Sequence, residues 1–329
     1  MLVQLPVARE LVGIARRAAE SQLLESKRRV EYRQLVTRRW ITRTSGRNLP
    51  FQWTVNPYRG CEYGCKYCYA LYTHEFMELD PAEEFEQKIF VKNFHSDGFR
   101  RELASVPRPE ALAIGTATDP YQPAERRFQI TRRILAVLAE DSGREVGMAT
   151  KSDLVVRDID LLATLARRNA LTVCITITTL EEALARMLEP YAPRPELRLQ
   201  AVARLAGAGL RVHVLCSPIL PGLNDSEESL AAVARAARTA GAVSMSGRVV
   251  FLKECAQKTL YPFLEGRFPQ LAAQYRHLFA RGAFLRGEYT RLIGERLERV
   301  RRQWGLDERR APPPPEPGPQ LDLFSVDRS

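Results

Sequence analysis

The chain has 329 residues, of which 45 % are hydrophobic, and carries 49 Lys and Arg against 39 Asp and Glu for a net charge of +10. That length suits one large α/β domain with appendages, or two modest domains, and the apolar fraction is enough for a sizeable core. There is no run of about 18 apolar residues, so no transmembrane helix and no membrane partner is expected.

Met1 to Glu25 reads as an amphipathic helix with Glu10, Arg16, Arg17 and Glu20. It lacks the apolar stretch and small-residue cleavage site of a signal peptide, so a cytoplasmic protein is expected. Between Arg28 and Arg47 stand seven arginines and one acid, Glu31, interleaved with Tyr32 and Trp40. Such a segment suits contact with a phosphate backbone, or is a solvated arginine-rich surface. Residues 1–50 thus read as a basic N-terminal extension, helical and then loop-like.

From Trp53 onward short apolar runs alternate with helical patterns. The runs predict strands at Trp53–Asn56, Ala111–Thr118, Glu145–Thr150, Leu171–Thr178, Leu210–Ile219 and Arg248–Lys253. The helical patterns fall at Ala124–Asp141, Asp153–Asn169, Leu180–Glu189, Pro195–Ala208 and Ser226–Ala240. This alternation predicts parallel strands with crossover helices. Six such repeats are too few for a closed eight-stranded barrel, so residues 51–255 read as a partial (β/α)6 TIM-like barrel, with its site at the strand C-termini. Residues 256–306 read as C-terminal helices, and residues 307–329 as a tail with the polyproline spacer Ala311 to Pro319.

The first strand leads into Asn56-Pro57-Tyr58-Arg59-Gly60-Cys61-Glu62-Tyr63-Gly64-Cys65-Lys66-Tyr67-Cys68. Three thiols in the spacing C-x3-C-x2-C can wrap one metal centre and leave a coordination site open. A structural zinc would need a fourth ligand, which His74 offers. A [4Fe–4S] cluster takes thiolates as its normal ligands. The other cysteines, Cys174, Cys216 and Cys255, lie in apolar stretches, which together with the clustered three suits a reducing compartment.

The cysteine spacing, with aromatic Tyr67 before the last cysteine, resembles the signature of the radical S-adenosylmethionine (SAM) enzymes. Asn56 to Gly60, Thr118-Asp119-Pro120-Tyr121-Gln122-Pro123-Ala124-Glu125, Ala149-Thr150-Lys151-Ser152, Ile175 to Glu181 and Pro218 to Asp225 resemble the spore photoproduct lyase-like, or DNA repair photolyase-like, branch. The resemblance spans about residues 50–255. It implies a [4Fe–4S] cluster held by Cys61, Cys65 and Cys68, SAM on the open iron, and a one-electron donor such as flavodoxin or ferredoxin. It further implies SAM contacts from Tyr67, Thr118, Asp119, Lys151, Thr176, Thr178 and Leu223. The lyases use a cysteine just before the Ser/Thr-Asp pair, where this chain has Ala117. Cys174 and Cys216 are the candidate replacements as hydrogen donors, Cys216 because it lies near a strand end. Tyr58, Tyr69 and Tyr121 are further candidates for relaying a radical.

Gln320-Leu321-Asp322-Leu323-Phe324 resembles the short peptide by which bacterial repair and replication proteins dock on the DNA sliding clamp. With the basic charge, this points to nucleic acid, DNA above all. The rival readings are a radical SAM enzyme acting on tRNA or peptide, and a non-catalytic zinc-stabilised DNA-binding adaptor.

Overall fold

The computed structural model describes residues 11–27, 29–46, 49–108 and 110–307. Its strands are β1 (Leu23–Lys27), β2 (Val30–Leu35), β3 (Ile41–Arg43), β4 (Trp53–Val55), β5 (Tyr58–Arg59), β6 (Lys88–Lys92), β7 (Leu112–Ile114), β8 (Glu145–Thr150), β9 (Ala170–Thr176), β10 (Val212–Ile219) and β11 (Ser244–Val249). They form two sheets, a seven-stranded one ordered β11-β10-β9-β8-β7-β4-β3 and a four-stranded one ordered β1-β2-β6-β5.

Six strands of the large sheet, β4 and β7 to β11, run parallel in chain order, and β3 adds an antiparallel edge. These are the six expected repeats of the partial barrel. Helices lie between successive strands at Ile130–Glu140, Ile159–Arg168, Pro195–Gly207 and Glu227–Thr239. Their apolar stripes, such as Ile134, Leu135 and Leu138, pack on one face of the sheet, where Val146, Met148, Val173, Ile175, Val212 and Val214 are all buried. Side chains alternate across a strand, so the other face is set by the intervening residues. There the register rows are Thr54, Ala113, Gly147, Thr172; then Ala149, Cys174, His213, Ser244; then Thr176, Leu215, Ser246. One face is an aliphatic core, and the other is a lumen of small and polar groups.

The N-terminal region departs from expectation. Among the described residues of the expected Met1–Glu25 helix, a helix covers Gly13–Ala19, while Leu23–Glu25 belong to β1, and residues expected to be loop-like complete β1 and form β2 and β3. Tyr32 and Leu35 are buried, and Arg33 bonds Ser21 and Glu31, so local charge did not prevent strand formation. Tertiary pairing of β2 with the distant β6 decides the matter. The last parallel strand also starts earlier than expected. Ser244–Val249 forms the ladder with β10 instead of the more apolar Arg248–Lys253. The expected Ala124–Asp141 helix is two pieces, Ala124–Phe128 and Ile130–Glu140, broken at Gln129 in the left-handed region (φ 51).

The C-terminal helices are Glu254–Arg267, Pro269–Leu278 and Glu288–Gln303. Basic residues of the last of these are tied to the chain itself, Arg299 to Glu227 and Arg296 to the Asp225 carbonyl. No helix among the described residues is long and apolar enough to cross a membrane.

Candidate active site

The cysteine loop springs from the junction of the two sheets. β4 belongs to the large sheet and β5 to the small one, and Cys61 follows two residues after β5. The Cys61 N–H donates to the Phe85 carbonyl at 3.1 Å. Gly60 (φ 80) makes this approach possible, since a Cβ there would lie 2.8 Å from the Lys88 carbonyl and 2.9 Å from that of Phe85. The loop is pinned from the end of β7 as well. Thr118 Oγ1 donates to the Gly60 carbonyl at 2.6 Å, and Gln122 Nε2 donates to the same carbonyl at 3.1 Å. Glu62 accepts from the Tyr32 hydroxyl at 3.0 Å and the Ala124 N–H at 2.9 Å, which joins the small sheet to the loop.

All three thiols pack with Leu223, Leu220, Leu252 and Tyr67 in a second apolar cluster. Burial pushes each of them up, Cys65 to about 12, and the three influence one another's charge. An all-sulfur donor set of half-buried thiols beside an apolar cluster fits an iron–sulfur cluster, whose binding would displace the thiol protons. The zinc arrangement is not formed. Among the described residues no three His, Cys, Asp or Glu close on a single ion, and His74 Nε2 lies 3.1 Å from the Lys88 carbonyl, its ring against Phe85 and Phe90.

Above the loop lies a buried charge network. Burial pushes the Glu189 carboxyl up, but the Arg198 guanidinium and the Lys151 ammonium outweigh it and hold it below its ordinary value. Arg198 pairs with Glu189 at 2.5 Å and donates to the Thr176 carbonyl at 3.1 Å and the Pro193 carbonyl at 2.7 Å. Glu189 also accepts from the Tyr67 phenol and, at 3.2 Å, from Thr178 Oγ1. Burial acts to lower the Lys151 ammonium, yet Cys65 and Glu189 raise it above its ordinary value, so it stays charged. Its Nζ stands 5.7 Å from the centre of the Tyr67 ring.

Both Asp119 oxygens are engaged at home. Oδ1 accepts from Thr150 Oγ1 at 2.6 Å and the Tyr121 N–H at 2.9 Å, and Oδ2 accepts from the Lys151 N–H at 2.7 Å. Asp119 therefore ties the ends of β7 and β8 and aims Lys151. Thr176 is on the lumen face, while Thr178 follows β9 and leans on Glu189. The two expected cysteine donors part company. Cys216 is fully buried on the helix-facing side with Val212 and Val214, against the expectation that it faces the cavity. Cys174 is in register with Ala149 and His213 on the lumen side. Tyr58 and Tyr121 are buried with their phenols on Glu125 and Asp158, and only Tyr69 is exposed. Residues 320–324 lie outside the described residues.

The radical SAM superfamily model matches residues 55–234. The chain belongs to the radical SAM superfamily. An uncharacterised protein of Mycobacterium tuberculosis is 34 % identical over 82 % of this chain and 79 % of its own length. One of Methanocaldococcus jannaschii is 31 % identical over 54 % of this chain and 63 % of its own length. Among solved structures, a spore photoproduct lyase mutant with bound AdoMet and dinucleoside spore photoproduct has a TM-score of 0.62 at 16 % identity, over 82 % of this chain and 79 % of that one. That likeness establishes the shared fold. Radical SAM enzymes use a [4Fe–4S] cluster and SAM, and the sulfur pocket fits the first of these.

Sequence reading missed the Glu189–Arg198 pair, because eight residues of intervening chain separate the partners. It also gave no role to Glu62 and Gln122. Gln122 stands inside the Thr118 to Glu125 block, so the signal was present.

Proposed function

We propose that this radical SAM enzyme acts on a nucleic-acid base, in DNA, in a repair-type reaction. The observation that carries the reading is one arrangement at the C-terminal ends of parallel strands. Three thiols, a charged, half-buried Lys151 and the Glu189–Arg198 pair adjoin a lumen of small polar side chains. Fold likeness to spore photoproduct lyases, solved with a dinucleoside photoproduct, supports a base-sized substrate. The +10 charge supports a polyanion.

In this reading Cys61, Cys65 and Cys68 hold the cluster, and Lys151 holds the SAM carboxylate by a charge-assisted hydrogen bond. Bound there, the cofactors would supply one-electron reductive cleavage of SAM and, from it, hydrogen-atom abstraction chemistry. The chain's own part is to orient and to keep water out. Glu189 attracts the Lys151 ammonium and is itself held by Tyr67; Thr118 and Gln122 fix the loop, and Leu223 offers an apolar wall for adenine. Ala117 carries no thiol, so Cys174, on the lumen side, takes the part of hydrogen donor. Electrons come from a flavodoxin or ferredoxin.

Deuterium tracing tests the substrate class. Deuterated pools of ultraviolet-damaged DNA, tRNA and peptide are incubated anaerobically with the cluster-loaded enzyme and SAM. Deuterium in 5′-deoxyadenosine from the DNA pool alone is the expected result, and label only from tRNA or peptide overturns the reading. The sequence Gln320–Phe324 supports docking on a sliding clamp. Equal clamp recovery by wild type and a Leu323→Ala/Phe324→Ala variant would sink that part.

A further inference from the structure

Among the described residues four aromatic side chains are strongly exposed: Tyr69 at 43 %, Phe76 at 60 %, Tyr191 at 65 % and Phe284 at 64 %. An exposed ring is unremarkable alone, but Tyr69, Phe76 and Phe284 are joined through Phe251, Tyr72 and Lys253. Tyr69 follows Cys68 directly, and its hydroxyl donates to the Thr116 carbonyl at the end of β7. Tyr191 lies against Gly64 of the cysteine loop. Phe284 stacks on Phe251 with ring centres 4.2 Å apart, and Phe251 is 6.4 Å from Tyr69. Phe76 meets Tyr72 edge-to-face at 5.5 Å. Lys253 joins the two groups, its Nζ 3.8 Å from the Tyr72 ring centre and 6.0 Å from that of Phe251.

The ribbon is built rather than incidental. Phe251 and Phe284 face each other across an antiparallel bridge, and the Leu252 N–H donates to the Ala283 carbonyl at 2.9 Å. Exposed Arg281 and Arg286 flank Phe284 in sequence. Beside Tyr72 and Phe76 opens a groove of about 770 Å³, also lined by Tyr261 and Lys253. That volume is within the usual range for a small-molecule site and holds a nucleoside. Glu75 and Glu254 line it together with Lys253 and Arg276, so its charge is mixed.

We propose that this ribbon, from Phe284 through Phe251, Tyr69 and Tyr72 to Phe76, binds an unpaired stretch of nucleic-acid strand beside the cysteine loop. Bases stack on the rings, and phosphates meet Lys253, Arg281 and Arg286. Stacking on aromatic platforms interleaved with cations is the chemistry that holds single strands without regard to sequence. The proposal rests on the nucleic-acid reading above and adds where the strand lies.

The test is fluorescence anisotropy of a labelled single-stranded oligodeoxynucleotide with anaerobic, cluster-loaded enzyme. Phe76→Ala and Phe284→Ala each weaken binding about tenfold, and Phe284→Tyr, which keeps a ring, restores it. Because both phenylalanines are exposed, the fold is little affected. Wild-type binding unchanged by the alanine variants overturns the ribbon and leaves the nucleic-acid reading standing. No binding by wild type overturns both. Undiminished binding with slower cluster reduction by flavodoxin, but not by dithionite, reassigns the ribbon to a protein reductant and overturns the proposal.

Discussion

The two faces of the large sheet divide the labour of the molecule. On the helix side, valine, isoleucine and methionine of β8, β9 and β10 meet the stripes of four helices. On the lumen side the same strands present Gly147, Thr172, Cys174, His213, Ser244 and Ser246. Small groups leave room, and polar groups give something to bind. The contrast teaches that stability and chemistry are separated by one residue along each strand. It also sorts Cys216 from Cys174, two cysteines alike in composition and opposite in place.

The separation is sharpest if damage to one side leaves the other intact. Cys65→Ala removes one of the three thiols proposed to hold the cluster. The cluster absorbance and SAM cleavage should both fall below detection, with the circular dichroism of the fold unchanged. Leu162→Ala, in the core under β9, should instead cost about 2–5 kcal/mol in denaturant unfolding while the cluster spectrum survives. Cluster loss in the core variant, or unfolding in the ligand variant, would break the comparison.

The lumen side also carries its own pH signature. His213 lies between Ser244 and Ser246, each 2.7 Å from a ring nitrogen. Burial, with Arg301 and Arg211 nearby, lowers its pKa from 6.5 to about 4. Above pH 6.5 the ring is neutral in both folded and unfolded chains, so its arrangement counts in full. As pH falls from 6.5 to about 4, the unfolded chain binds a proton that the folded one refuses, and stability declines. His213→Gln should flatten that decline by on the order of 2 kcal/mol in urea titrations at successive pH values. His74, lowered to about 4 as well, remains as the background slope. A variant with an unchanged profile would remove His213 from the account.

The smallest expected effect concerns the paired cysteines. Cys216→Ala should lower stability by about 1 kcal/mol and leave turnover of the identified substrate unchanged. Cys174→Ala should keep SAM cleavage and lose substrate product. The reverse pattern would show that the register argument fails.

Much of the fold was legible along the chain. Alternation of apolar runs with helical stripes gave the six parallel strands, because burial on the helix side demands an aliphatic residue at every second position. Legibility ended where pairing is distant. The strands β1 to β3 sit in arginine-rich sequence and exist through partners such as β6, some 57 residues on from β2 by number (Glu31 with Lys88). The boundary of β11 followed the serines that bond His213 instead of the more apolar stretch beyond them.

By itself the sequence determined the three-thiol spacing proposed to hold the cluster and the repeat that carries it. Both are local: three thiols within eight residues, and periodic apolarity within each element. Only the tertiary structure decided what surrounds that loop. Glu189, at the end of one helix, and Arg198, on the next, come to Tyr67 of the cysteine loop, and Asp119 ties the ends of β7 and β8. Which face Cys174 and Cys216 occupy, and which exposed rings gather beside the cysteine loop, depends on register and on bridges between distant segments. Those are properties of packing in space, and no spacing along the chain encodes them.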